Sequence, residues 1–290
     1  MIHKLLNNVY KNAKRIPLDQ KNKYILFSDL HKGTNSYADD FKHNMWVYKE
    51  ALHYYYIHDF TYIELGDGIE LWENRSIKPI LKAHHTIFDL LKEFHLHNRL
   101  HLIYGNHDMI MRFPFMVKKL LWNVIPQLKY HESIILETKK ELPDILLLHG
   151  HQADYMNYLF WWLNRFLVRY LWKPLQLIGI NDPTSPAKNY KGLIKVEKRL
   201  KKWIVKKGNQ PVVFGHTHRP RFPNPGEIPM FNTGSCVHPE SIIGIEIKNL
   251  QISLVKWESS EKSQAVTKTV LEGPVDLDNY WQGLAVSSWQ

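Results

Sequence analysis

The chain is poor in cysteine: Cys236 is the only one among 290 residues, so no intramolecular disulfide can form. No window offers the roughly 20 uncharged apolar residues that a membrane span requires, and the N-terminus carries scattered charges instead of a secretory leader's apolar stretch. A reducing, cytoplasmic setting is therefore expected. Internal repeats and low-complexity tracts are also lacking, which argues against a solenoid or array. Acidic residues are the minority charge, 28 against 38 Lys and Arg, and the resulting formal charge of +10 favours an anionic partner: phosphate ester, nucleic acid or lipid head group. What is present is enough apolar material, 44%, for one large globular domain over residues 1–290.

Five short apolar runs each pass directly into a polar cluster. Tyr24 to Phe27 precedes Ser28-Asp29-Leu30-His31, Tyr62 to Leu65 precedes Gly66-Asp67-Gly68, and Leu100 to Tyr104 precedes Gly105-Asn106-His107-Asp108. Ile145 to Leu148 precedes His149-Gly150-His151, and Val212 to Phe214 precedes Gly215-His216-Thr217-His218. Continuous apolar runs of this length read as strands covered on both faces, and such strands gather ligand-binding groups at their carboxyl ends. Helical stretches are expected over Asp40 to Asp59 and Lys78 to Asn98, giving a layered α/β architecture. Ile242 to Ile247 and Ile252 to Trp257 read as a β-hairpin, and the tail beyond about Pro274 gives little signal.

The polar clusters supply Asp, His, Asp, Asn, His and a His-x-His pair. Two divalent ions about 3.5–4 Å apart can activate water and stabilise an in-line displacement at phosphorus, with a shared carboxylate setting their separation. Oxygen and imidazole donors suit Mn, Fe, Zn or Co. Alternation in an extended segment puts residues i and i+2 on one face, so Asp29 and His31 can converge, as can His216 and His218.

In order, Asp29-Leu30-His31, Gly66-Asp67, Gly105-Asn106-His107-Asp108, His149 and Gly215-His216-Thr217-His218 resemble the signature of the calcineurin-like metallophosphoesterases, over about residues 23 to 256. The resemblance implies a β-sandwich flanked by helices and two divalent ions, Mn foremost. Asp29, His31, Asp67 and His218 would hold the first ion; Asp67, Asn106, His149 and His216 would hold the second, with Asp67 as the bridge. It also implies water as the nucleophile, His107 as proton donor or charge stabiliser at the leaving group, and Asp108 as its orienting partner.

Residues 151–203 interrupt the strand pattern and read as an inserted helical cap. Within it, Tyr158 to Lys173 places Arg165, Arg169 and Lys173 along one stripe, with Trp161, Trp162 and Trp172 among its apolar residues, up to Pro174. Such a helix can close over a lipid-linked substrate or rest on a membrane surface. A strand-end His-Gly followed by an aromatic, basic insert is similar to the bacterial UDP-2,3-diacylglucosamine pyrophosphohydrolases, which implies a lipid-bearing diphosphate substrate at the inner membrane face. Those enzymes usually carry Arg where this chain has His107.

The expected activity is hydrolysis of a phosphoester or pyrophosphate bond. The alternatives are a nuclease or cyclic-nucleotide phosphodiesterase on the same site, and a binding scaffold without turnover. No protein partner is expected for the enzyme. His84, His85, His95, His97 and His101 read as helix-surface or connector residues, and His151 as a structural neighbour of His149. Glu70 is left outside the ligand set, and Cys236 reads as a buried, inert thiol.

Overall fold

Burial on both faces explains why the strand-forming runs are so uniformly apolar: in the computed structural model, residues 24–27, 62–65 and 145–148 are buried without a break. The structure describes residues 2–37, 39–138, 142–154, 158, 161–167, 190–259 and 265–280. The chain begins with α1 (Ile2–Lys11), β1 (Lys14–Pro17), β2 (Lys23–Phe27), α2 (Met45–Ile57) and β3 (Thr61–Leu65). It continues with α3 (Lys78–Ala83), α4 (His85–Leu96), β4 (Leu100–Ile103), α5 (Pro114–Leu121), β5 (Tyr130–His131), β6 (Ser133–Glu137) and β7 (Ile145–Leu148). Then come α6 (Trp161–Leu167), α7 (Tyr190–Lys206), β8 (Val212–Phe214), β9 (Met230–Asn232), β10 (Ser241–Lys248), β11 (Gln251–Ser259) and β12 (Val266–Asp276).

Two sheets result. The first runs β12-β11-β10-β2-β3-β4-β5, with β2 to β5 mutually parallel and the β10–β11 hairpin antiparallel beside β2. The second runs β1-β6-β7-β8-β9, with β7, β8 and β9 parallel. Strand alternation then sorts the core. Leu26, Ile63, Leu65 and Ile103 meet Ile134, Leu136, Leu147 and Val213 between the sheets. Ile25, Phe27, Tyr62 and Leu102 face outward, where α2 and α4 cover them with Tyr48, Leu52, Tyr55, Ile87 and Leu91. On the other side, Leu146, Leu148, Val212 and Phe214 are covered by Leu6 of α1 and by Val196, Leu200 and Trp203 of α7. The layered α/β sandwich with flanking helices is the expected class.

Three local expectations need correcting. The helix expected over Lys78 to Asn98 is two helices, broken at His84, whose backbone leaves helical geometry. His84 is not a surface residue: its buried imidazole donates from Nε2 to the Gly33 carbonyl at 3.0 Å and lies 3.5 Å from the Asp39 carboxylate, tying the helix junction to the loop after β2. His101 lies within β4, its Nδ1 accepting from the Lys14 ammonium at 3.3 Å. Of the insert expected at 151–203, residues 155–157, 159–160 and 168–189 lie outside the described residues, and with them much of the Tyr158 to Lys173 helix. Among the described residues no helix is long and apolar enough to cross a membrane.

Candidate metal centre

Every polar cluster found in the sequence emerges from the carboxyl end of a strand: Asp29 and His31 after β2, Asp67 after β3, Asn106 after β4, His149 after β7, His216 and His218 after β8. Backbone hydrogen bonds continue the pairing into the loops, with Asp29 N–H donating to Gly66 O at 3.1 Å and His31 N–H to Asp67 O at 2.8 Å. Asp29, His31, Asp67, His216 and His218 all have φ between 50° and 65°, the left-handed region that non-glycine residues avoid. Strain of this kind costs roughly 1–3 kcal/mol per residue and concentrates at functional sites. Close approach is enforced at two glycines. A Cβ on Gly105 would stand 2.1 Å from Asp67 Oδ1, and one on Gly66, at φ 92°, would stand 2.6 Å from the His149 ring.

The side chains converge. Donor atoms of Asp29, His31 and His218 lie within 4.8 Å of one another, as do those of Asp67, His149 and His216, and those of His31, Asp67 and His107. His218 Nε2 is 3.1 Å from Asp29 Oδ1; His149 Nε2 is 3.1 Å from Asp67 Oδ2 and 3.3 Å from Asn106 Oδ1. His31 Nε2 lies 3.9 Å from Asp67 Oδ2, so this carboxylate stands between the two groups.

Four of the donors, Asp29, Asp67, His149 and His31, are prepared for a cation by what holds their other atom. Asp29 Oδ2 accepts from His216 N–H at 2.9 Å and from Ser28 Oγ, while its buried Oδ1 has no hydrogen-bond donor. Asp67 Oδ1 accepts from His107 N–H at 2.8 Å, which leaves Oδ2 turned to the imidazoles. His149 donates from Nδ1 to Leu65 O at 2.7 Å and His31 from Nδ1 to Glu70 at 2.9 Å, so in both rings Nε2 is the nitrogen left to meet a cation once its proton is displaced. The buried His31 Nε2 has no hydrogen-bond partner. Orphaned oxygen and nitrogen atoms converging at a buried point fit divalent cations of the Mn, Fe, Zn or Co type.

Electrostatics agree with the geometry. Burial opposes charge on Asp29, yet His218 and His149 bring its carboxyl down to about 2. Asp67 is held well below its ordinary value, burial again opposing and His149 and His107 prevailing. His149 is driven the other way, to about 9, because Asp67 and Asp29 outweigh its burial. Cations would displace such imidazole protons, and binding would release them to solvent.

His107 sits beside the cluster, 16% exposed. Glu70, not Asp108, is its carboxylate partner. Glu70 Oε2 accepts from His107 Nδ1 at 2.7 Å and from His31 Nδ1 at 2.9 Å, while Oε1 accepts the N–H groups of Trp72 and Glu73 at 3.0 and 3.1 Å. Burial works against a charged His107, but Glu70 and Asp67 raise it to about 10, so the ring keeps its proton at neutral pH. Asp108 turns inward instead, accepting N–H groups of Gly105 at 2.6 Å and Gly68 at 3.0 Å, and so ties the loops after β3 and β4 together. Burial and the Asp67 charge push its carboxyl up to about 7.

Two more groups join the site without a signal in the sequence. Trp72 stacks on His107, and Asp154 Oδ2 stands 3.7 Å from His216 Nε2. His151 is buried between His149 and Tyr158 with neither ring nitrogen hydrogen-bonded. Cys236 is buried, and its thiol is pushed up by that burial.

The chain matches no family model and no curated protein. Among solved structures it is similar to vacuolar protein sorting 29 from Cryptosporidium parvum, at 14% identity and a TM-score of 0.42 over 88% of this chain and all of that one. The Entamoeba histolytica protein, solved in complex with zinc, is similar at 14% identity and a TM-score of 0.40, over 86% of this chain and 99% of that one. At that level the likeness assigns neither activity nor partner, and the reading of the site rests on its own converging donors.

Proposed function

We propose that this chain is a two-metal phosphoesterase of the calcineurin-like type. The observation that carries the reading is the position of Asp67, whose carboxylate belongs to donor groups on both sides, with His31 on one and His149 and His216 on the other. Asp29, His31, Asp67 and His218 would hold one divalent cation, and Asp67, Asn106, His149 and His216 the other. When bound, such a pair polarises the phosphoryl oxygens and activates water for attack on phosphorus. The protein's own groups do the rest. Glu70 fixes the His107 tautomer with Nδ1 occupied, so the proton available to a leaving oxygen is the one on Nε2. Glycine-lined loops bring the ligands to the strand ends in a fixed arrangement, so little rearrangement accompanies turnover.

Mn is the proposed native ion, with Fe, Zn and Co compatible with the mixed nitrogen and oxygen set. The proposed substrate is a nucleotide-linked or lipid-linked phosphoester or pyrophosphate. Support for peripheral contact at the inner membrane face comes from α6, where Trp162 and Phe166 are more than half exposed. The formal charge of +10 favours a second reading on the same site, a nuclease or cyclic-nucleotide phosphodiesterase. A panel of sugar-nucleotide diphosphate, lipid phosphate, cyclic nucleotide and nucleic acid, run with Mn, separates them. The class itself is tested by bis-p-nitrophenyl phosphate and p-nitrophenyl phosphate. The wild-type protein should hydrolyse at least one when loaded with Mn, and Asp67→Ala should lose metal and turnover together. A protein that binds no metal and turns over neither ester is a scaffold, and the proposal is then wrong.

A further inference from the structure

A single hydrogen bond from His107 Nδ1 to Glu70 Oε2 fixes one atom of the ring but leaves it free to swivel about that line. Trp72 removes the freedom. Its buried indole lies nearly parallel to the imidazole, 20° apart with centroids at 4.3 Å, while the His31 ring meets His107 edge-on at 4.5 Å and 88°. The same short segment supplies both restraints, because the Trp72 N–H donates to Glu70 Oε1 at 3.0 Å and so the carboxylate that anchors the ring also places the surface it stacks on.

We propose that Trp72 is a positioning residue for leaving-group protonation, holding the His107 ring in the plane from which Nε2–H reaches the departing oxygen. The inference rests on the phosphoesterase reading above. In that reaction a bond forms between water oxygen and phosphorus and the bond from phosphorus to the leaving oxygen breaks. The Nε2 proton of His107 passes to the leaving oxygen, and the proton shed by water restores His107. A p-nitrophenolate departs without needing a proton, whereas an alkoxide needs one. Loosening the ring therefore acts selectively on substrates with poor leaving groups.

The test compares an alkyl phosphate ester with its p-nitrophenyl counterpart in Mn-loaded wild type, Trp72→Leu and Trp72→Phe, with metal content measured on each. Trp72→Leu should lose about tenfold or more in kcat on the alkyl ester and stay within about twofold on the p-nitrophenyl ester, at unchanged Mn content. Trp72→Phe, which keeps an aromatic face, should recover most of the loss. Equal losses on both esters, or no loss on the alkyl ester, overturn the positioning role while leaving the phosphoesterase reading intact. A wild-type protein inactive on both overturns the two together. A readout independent of turnover is the His107 Cε1–H resonance, which the indole ring current should move upfield in the wild type and release in Trp72→Leu. A resonance unchanged by the substitution speaks against the stack.

Discussion

Replacing Glu70 by glutamine changes the side chain by one atom type and no volume, yet it should be among the most damaging substitutions near the site. Both oxygens of Glu70 accept two N–H donors each: Oε1 those of Trp72 and Glu73, Oε2 those of His107 and His31. An amide has only one acceptor end, so in either orientation its NH2 group confronts two donors. Leaving a buried donor unpaired costs about 1–3 kcal/mol, more where charge is involved. If the amide oxygen keeps the backbone pair, the imidazoles lose their anchor. Metal affinity through His31 should then fall about 10- to 100-fold, and the general-acid contribution proposed for His107, about 10²–10⁴ in rate, should be largely lost. If the oxygen keeps the imidazoles, the Trp72 loop should loosen instead and Tm should fall. Mn titration, kcat on an alkyl phosphate ester and thermal melting distinguish the two outcomes. Glu70→Gln with wild-type values in all three would refute the reasoning.

Under the proposed reading, removing metal should lower stability, since only the folded chain would hold the ions in place; about 2.7 kcal/mol is expected per site at a free metal concentration a hundred times Kd. A Tm unmoved by chelator would contradict it. The acid limb of stability should depend on Glu246, a buried carboxylate held at 2.8 Å by Lys248 and also by Lys268. Despite burial, these ammonium groups lower its pKa in the folded state. Its contribution is therefore fully present above the ordinary carboxylate range and is lost as pH falls through the depressed folded value. Denaturant melts across pH 2 to 7, on the order of the usual carboxylate titration span, should show a flatter acid limb for Glu246→Gln, and an identical limb would remove Glu246 from the account.

Strands covered on both faces are the most legible elements here, because double burial leaves an uninterrupted apolar run with no helical or alternating period. Residues 145–148 show this directly. β12 is illegible for the opposite reason: it lies on a sheet edge, exposed along most of its length, so neither face imposes a pattern. β5, two residues long, offers no pattern at all. At the site, the seven candidate ligands are legible because each follows a strand run. The partner of His107 is not, because Asp108 is its neighbour in sequence and draws the assignment to itself; a tight turn sends that side chain inward to backbone N–H groups, and the carboxylate that reaches the ring comes from the loop after β3. The signal that points to Glu70 is its place in Gly66-Asp67-Gly68-Ile69-Glu70, a second carboxylate in the same short loop as Asp67, the proposed bridge. The Trp72 stack needs the folded loop and leaves no trace in composition.

The two proposed ligand sets do not divide between the two sheets; they straddle them. Asp29, His31, Asp67 and Asn106 leave strands of the first sheet, whereas His149, His216 and His218 leave strands of the second. Either cation would therefore act as a rivet through the seam of the sandwich. Stripping it should slacken the grip of one sheet on the other, and hydrogen exchange should quicken at the tips of β7 and β8 in step with those of β2 and β3.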